Sequence, residues 1–416
     1  MALQIDLRQM VLLIASSVDL VGVDDVLHGR RVAILAVQCA KHLGWNEEDQ
    51  QMLFDAALLH DVGVSSTRLH CRLVNELDWA GASLHGERGY MLLKDFTPLA
   101  HLAPIVRYHH THWQDLQRDN NIDPDIARFT NLIYLADRID FCATPYYADN
   151  SLLPHVPEIC ARIHRYRGTF FAPELVDAFL AAAQAEAFWL ILDSDFIPQF
   201  VNEMNHSADK AQIGLDNLKQ LGSIVAAVVD AKSHFTSEHS HGVARVARFM
   251  GEEFGLRGEH LDRLEVAALL HDIGKLQIPD EVLESPLMLT PYERAIMKKH
   301  SFATYQILKR VIGLEEVARW ASQHHESLNG GGYPFHSLAN ELPLESRIIK
   351  VADIYQALAQ SRPYRSPLSP PEILQLLRQM ESALEIDPQL VDFVGNRLDD
   401  CQSAAVGHQV SYERSL

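Results

Sequence analysis

Seven residues between positions 239 and 353 have the side chains best suited to holding metal ions: His239, His271, Asp272, His300, His324, His325 and Asp353. Imidazole nitrogens and carboxylates are ligands for first-row transition metals, and a carboxylate lying between two ions can bridge them through its two oxygens, the role expected of Asp272. Two bridged divalent ions can hold a shared hydroxide at neutral pH, aim it in line at phosphorus and stabilise the leaving oxygen. Phosphodiester hydrolysis needs all three. A lone histidine is more often a core or surface residue than a ligand, and the adjacent pair His324-His325 decides little alone. The ordered set is what argues for metal.

That set occurs twice. The hexapeptide Ala-Ala-Leu-Leu-His-Asp stands at 56–61 and again at 267–272, an offset of 211 that also pairs His28 with His239. An offset of 215 pairs His85 with His300 and His109-His110 with His324-His325, and 216 pairs Asp137 with Asp353. Ten of the 22 histidines fall on paired positions, too many in one order for coincidence, so the chain reads as a tandem duplication. The strings Arg31-Val32-Ala33 and Arg245-Val246-Ala247 follow the first histidine of each series, the second three residues later.

The elements that must position these side chains read as helices. Leu261, Leu264, Ala268 and His271 recur on one helical face, and Glu293 to Val311 contains no Gly or Pro. Thr290-Pro291-Tyr292-Glu293 and Ser369-Pro370-Pro371-Glu372 have the form of capping boxes with Pro at the first helical position. No alternating series marks strands. The expected fold is all-α, two tandem helical bundles over residues 1–205 and 215–400. The polar stretch Asn202 to Asp209 makes the junction, and 401–416 a polar tail.

Composition narrows the function classes. A length of 416 residues suits two domains, and 47% hydrophobic with 22% charged residues is a globular balance with no stretch long and apolar enough to cross a bilayer. The amino terminus has no basic region before its apolar run, so a cytoplasmic protein is expected. Five scattered cysteines suggest neither a zinc ribbon nor a disulfide framework. A net charge of −19, from 36 basic and 55 acidic side chains, argues against binding polymeric nucleic acid on a broad basic face. An anionic substrate then needs a local positive centre, which bound metal supplies.

His271-Asp272-Ile273-Gly274-Lys275, followed by His324-His325-Glu326-Ser327-Leu328-Asn329-Gly330-Gly331-Gly332-Tyr333-Pro334, resembles the two signatures of the HD-GYP family. The likeness runs from Thr236 to Pro370 and takes in Ile278-Pro279-Asp280, Arg347-Ile348-Ile349 and Arg362-Pro363-Tyr364-Arg365. It implies a bacterial cyclic di-GMP phosphodiesterase of two HD-type bundles. It also implies two divalent transition-metal ions, iron or manganese, and cleavage to the linear dinucleotide pGpG, with further cleavage to GMP left open. Asp272 and Lys275 become the catalytic candidates, the lysine charge favouring an anionic transition state. Lys275, Tyr333, Arg362 and Arg365 become substrate contacts, the ring for stacking on guanine and the guanidinium forks for phosphate or a base edge. The glycines before Tyr333 let a ligand approach the backbone closely.

Departures qualify the resemblance. Family members with three ions place a Glu where this chain has Phe235, and Glu238 points elsewhere on a helix, so two ions are expected. Leu328-Asn329 replaces the usual Trp-Asp, which leaves base preference open. The first series, His28, His60, Asp61, His85, His109, His110 and Asp137, keeps every ligand type as a second metal site. Its lysine position is Val64, no Gly-Tyr-Pro loop follows His110, and Tyr146 and Asp149 stand where the arginines would be. A regulatory first unit is the expectation. Three readings remain: a cyclic di-GMP phosphodiesterase, a hydrolase of another cyclic dinucleotide such as cyclic GMP-AMP, and a non-catalytic cyclic-dinucleotide sensor. A homodimer is compatible with each.

Overall fold

A computed structural model describes residues 3–20, 27–64, 66–67, 69, 72–73, 76–79, 81–207, 211–232, 238–285, 287–361 and 366–407. Among the described residues the fold is helical, as expected, and its one sheet is an antiparallel pair of two-residue strands, Ile5–Asp6 with Gln212–Ile213. The chain divides into two compact units, Leu7–Ala211 and Gln212–Leu416, the latter including Met1–Asp6. Residues 3–6, assigned by sequence to the first unit, therefore fold with the second. Two residues of strand carry no alternation that a sequence pattern can register.

Each unit is built around the helix that begins with its first ligand histidine. In the first, His28–His42 packs on Glu47–Leu58 and Pro124–Ala143, while Ser83–Leu93 packs on Ala103–Tyr108. In the second, His239–Glu253 packs on Gly258–Leu270 and Leu344–Ala359, and Lys299–Leu308 packs on Glu315–Ser322. Leu261, Leu264 and Ala268 are buried as their spacing predicts, but Val266, Ala267, Leu269 and Leu270 are buried too. Leu215–Lys232, His239–Glu253 and Glu315–Ser322 enclose this helix from several sides. Each large apolar side chain so covered contributes about 1.5–3 kcal/mol.

The two ligand helices start in the same way, although neither starting residue caps its own helix. A carboxylate nine positions upstream does so instead: Asp19 Oδ1 accepts from Gly29 N at 3.0 Å, and Asp230 accepts from Ser240 N at 3.1 Å and Ser240 Oγ at 2.8 Å. Burial pushes the Asp19 carboxyl up to about 6 and also raises that of Asp230. The pair keeps the offset of 211, so the repeat includes the residues that start the helices as well as the ligands.

Both expected capping boxes are present. Three sequence expectations need correction. The segment from Glu293 is not one helix: it splits at Lys298 into Pro291–Met297 and Lys299–Leu308, where the His300 ring bonds the Met297 carbonyl. The tail assigned from 401 begins later, because Leu398–Val406 is a helix with Cys401 and Ala405 buried. Finally, Arg31 and Arg245 are not equivalent. Both helices begin at their histidine, which sets Arg31 opposite Gly242, and Arg245 bonds the Ala404 carbonyl instead.

One close approach fixes the turn carrying the metal ligands. A Cβ on Gly274 would lie 2.0 Å from the His300 carbonyl oxygen, and one on Gly63 would lie 1.9 Å from that of His85. Only glycine lets the turn after each His-Asp pair touch the helix bearing the next histidine. Gly274→Ala is expected to destabilise the second unit by at least the roughly 1–3 kcal/mol typical of overpacking. Thermal unfolding of the variant checks this, and an unchanged midpoint would show that the turn can move away.

Candidate metal centre

In the second unit the seven ligand candidates reach one site from six segments. His239 opens its helix, His271 ends Gly258–Leu270, Asp272 begins the tight turn Ile273–Gln277, His300 lies in Lys299–Leu308, His324 and His325 follow Glu315–Ser322, and Asp353 lies in Leu344–Ala359. Three groups have ligand atoms within 4.8 Å of one another: His239 with His271 and Asp353, His300 with His324 and His325, and His271 with Asp272 and His324. All the expected ligands are brought together.

Asp272 lies between the groups. Its Oδ2 faces His271 Nε2 at 3.1 Å and His239 Nε2 at 3.7 Å, while its Oδ1 faces His300 Nε2 at 3.5 Å and His324 Nε2 at 3.7 Å. Asp353 Oδ1 closes the first group, 3.2 Å from His239 Nε2. His271 Nε2 and Asp272 Oδ1 are fully buried and make no hydrogen bond. Buried polar atoms are seldom left so, and a divalent cation would satisfy both. The donor set around Asp272 therefore fits divalent cations.

Backbone carbonyls aim the rings. His271, His300 and His324 donate Nδ1–H to the carbonyls of Ala268, Met297 and Ala321 at 2.7, 2.6 and 2.6 Å, turning Nε2 inward. Burial pushes His300 down to about 4, and burial with the charge of His271 pushes His324 down to about 3. These rings are neutral, as ligands must be. Burial alone would raise the Asp272 carboxyl, but the charges of His271 and Lys275 outweigh it and hold it well below the usual carboxylate range.

Lys275 follows the end of the helix that His271 closes. It lies in a tighter turn, its N–H bonded to the Asp272 carbonyl at 2.8 Å and its Nζ on Asp272 Oδ2. The Tyr333 ring centroid is 4.8 Å from that of His325, with Lys298 Nζ 5.2 Å from the Tyr333 ring. Phe235, Arg362 and Arg365 lie outside the described residues.

The first unit repeats this geometry. Asp61 Oδ2 faces His60 at 3.5 Å and His28 at 3.9 Å, while Oδ1 faces His85 at 3.1 Å and His109 at 3.8 Å. His28, His60 and Asp137 form one compact group, and Asp61, His85, His109 and His110 another. Asp61 Oδ1 and His60 Nε2 are again buried without a hydrogen bond, so this donor set fits cations as well. The surroundings differ. Val64 is buried at the lysine position, Arg138 Nη2 holds Asp137 Oδ2 at 2.8 Å, and Tyr146 stacks on His155 at 3.8 Å. Asp149 accepts from Ser151 Oγ at 2.5 Å.

Two family models, each described as an HD domain, match residues 26–142 and 223–390. The 3'3'-cGAMP-specific phosphodiesterase 1 of Vibrio cholerae is 36% identical over 94% of this chain and 91% of its own. The chain belongs to the HD-GYP type of HD-domain cyclic-dinucleotide phosphodiesterases. The cyclic di-GMP phosphodiesterase response regulator RpfG of Xanthomonas campestris is 36% identical over 41% of this chain and 45% of its own. A crystal structure of a cyclic GMP-AMP specific phosphodiesterase from V. cholerae superposes with a TM-score of 0.63 at 22% identity, covering 97% of this chain and 98% of the other. The tandem all-α HD fold is common to both.

Several residues of this HD-GYP chain that shape the site escaped the sequence reading. Glu326 is buried and its carboxylate accepts from Phe335 N at 2.6 Å and Ser337 N at 3.0 Å, clamping the Gly-Tyr-Pro loop from within. Lys350, pushed down to about 8 by burial, bonds the Glu326 carbonyl and Ser327 Oγ. Gly332 packs so tightly that a Cβ would meet Glu326 Cα at 2.4 Å. Nothing local marks Glu326 or Lys350. Gly63 and Gly274 were legible, because they keep the 211 offset.

The geometry yields two predictions. In chelator-treated protein, His300 and His324 bind fewer protons folded than unfolded, so stability is expected to fall as pH drops from 6.5 towards about 4. The loss should be on the order of a few kcal/mol, partly offset by His271, whose value is raised. Denaturant titrations at pH 5 and 7.5 measure it, and equal stabilities would refute buried neutral rings. Separately, Glu326→Ala is expected to raise KM about tenfold, the equivalent of roughly one lost hydrogen bond, with metal content unchanged. Steady-state kinetics beside metal analysis would decide this, and an unaltered KM would assign the loop shape to other contacts.

Proposed function

We propose that the second unit hydrolyses a cyclic dinucleotide to its linear form, with 3'3'-cyclic GMP-AMP as the favoured substrate. The observation that carries the chemistry is Asp272, whose two oxygens face two separate histidine groups while Lys275 bonds one of them. Divalent ions held by those groups, iron or manganese as the family resemblance implies, would supply Lewis acidity and an acidified water. The chain's own residues do the rest. The His271, His300 and His324 rings are oriented by backbone carbonyls, Lys275 places a cation beside the reacting phosphate, and Tyr333 offers a ring at the rim. Arg362 and Arg365 remain proposed phosphate contacts on their sequence match alone.

Base preference rests on the near full-length likeness to a cGAMP-specific enzyme and on Leu328-Asn329 in place of Trp-Asp. Cyclic di-GMP is the second reading, favoured by the likeness of the catalytic segment to RpfG. A pure sensor has no use for Lys275 on the bridging carboxylate. The first unit, with the ligand geometry but without lysine or Gly-Tyr-Pro loop, is proposed as a metal-holding regulatory unit. This reading places the protein in the cytoplasm, and no helix among the described residues is long and apolar enough to cross a membrane.

Turnover of both cyclic dinucleotides by the manganese-loaded full chain tests the reading. Asp272→Ala is expected to abolish hydrolysis and Asp61→Ala to change its rate without removing it. Equal losses would overturn the division of labour, and tight binding without turnover would make the protein a sensor.

A further inference from the structure

The histidines that open the two ligand helices are oriented by a different kind of partner from the one that serves His60, His109, His271, His300 and His324. Those five donate Nδ1–H to a carbonyl three residues back, at 2.6–2.7 Å. His28 and His239 take a side chain from the helix that carries the ligand aspartate, one turn beyond it. For His28 the partner is Asp140 Oδ2 at 2.7 Å, and for His239 it is Gln356 Oε1 at 2.5 Å. Residues 140 and 356 share the 216 offset of Asp137 and Asp353. The tautomer is the same in both units, but the partner's charge is not.

The surroundings match each partner. Asp140 is fully buried and receives Arg31 Nε at 2.7 Å, Arg31 Nη2 at 3.1 Å and Tyr147 Oη at 2.7 Å. The equivalent of Arg31 is Gly242, where a Cβ would already meet Gln356 Cγ at 2.7 Å and the Ala405 carbonyl oxygen at 2.9 Å. The second unit thus has no room for a guanidinium and carries an amide that needs none. A carboxylate behind a ligand imidazole makes the ring a stronger donor, and outer partners of this kind change metal affinity about 10–100-fold.

A second difference acts at the same place. Lys275 bonds Asp272 Oδ2, the oxygen that faces His239 and His271, and would compete with an ion there. At the equivalent place beside Asp61 stands buried Val64. The Asp353 side chain is 15% exposed and that of Asp137 2%. Arg138 works in the other direction by holding Asp137, but at Oδ2, on the His110 side, leaving Oδ1 towards His28.

We infer that the position formed by His239, His271 and Asp353 is the weak, exchangeable divalent-metal site of this protein. Its counterpart at His28, His60 and Asp137 retains its ion, and Gln356 and Asp140 are the residues that set the difference. The inference rests on the reading that both units bind ions. Its consequence is a catalytic unit whose occupancy follows the free metal concentration, beside a unit that stays loaded.

Titration of the full chain with Mn2+, following free ion by electron paramagnetic resonance, tests it without reference to turnover. Two classes of affinity are expected, with His239→Ala removing the weaker and His28→Ala removing one ion from the tighter. Gln356→Glu, which keeps the shape and adds the charge, should tighten the weak class about 10–100-fold, and Asp140→Asn should loosen one tight ion comparably. Thermal unfolding in chelator shows whether each variant folds. If Asp140→Asn does not, because the buried Arg31 loses the carboxylate charge it faces, Gln356→Glu decides alone. A weak constant unmoved by Gln356→Glu, or a weak class surviving in His239→Ala, overturns the inference. Two classes as described in a protein that cleaves no cyclic dinucleotide would sink the proposed activity and leave this inference standing.

Discussion

A carboxylate buried between two sets of imidazoles is the constraint on which each unit depends. Asp272 and Asp61 are removed from water, and their two oxygens face opposite ways towards separate sets of histidines. Desolvation of such a group is costly unless positive charge arrives to offset it. The protein makes the position tolerable by keeping the carboxyl ionised against His271 and Lys275 and by turning every available Nε2 inward. A ligand set of this kind serves a cation far better than it serves the polypeptide alone.

That demand explains which residues the two units hold in common. The carboxylates that start the ligand helices, Asp19 and Asp230, recur in both, as do the glycines that let the next histidine helix close in, Gly63 and Gly274. These place backbone, and backbone errors of an ångström would scatter every ligand. What differs lies around the ligands: Val64 against Lys275, Arg138 against Ile354, and Asp140 with Arg31 against Gln356 with Gly242. Side chains there alter the local charge without moving the frame. One scaffold thereby supports two sites of equal geometry and unequal chemistry.

The loop that distinguishes the second unit is held by a buried network and not by its own residues alone. The Glu326 carboxylate binds two of its backbone amides, and Lys350 ties the Glu326 carbonyl to the helix carrying Asp353. The Gly-Tyr-Pro loop and the helix of Asp353 are therefore connected through a buried lysine. Tyr333 stands beside His325, their ring centroids 4.8 Å apart.

The amino-acid sequence by itself determined the class of fold, the duplication and all fourteen ligand candidates, because ligand chemistry and helical spacing are local properties and the repeat displays them twice. It also marked Lys275 and the Gly-Tyr-Pro loop as the features that separate the units. Tertiary structure alone decided that Asp272 presents different oxygens to different histidines, that Asp140 and Gln356 support His28 and His239, and that Glu326 and Lys350 hold the loop. It also moved the first residues into the second unit, split the helix at Lys298 and placed residues 401–406 in a helix that buries Cys401 and Ala405. The reason is physical: each of these depends on which groups meet in space, at separations from three residues for Met297 and His300 to 117 for His239 and Gln356, and no spacing along the chain records such meetings.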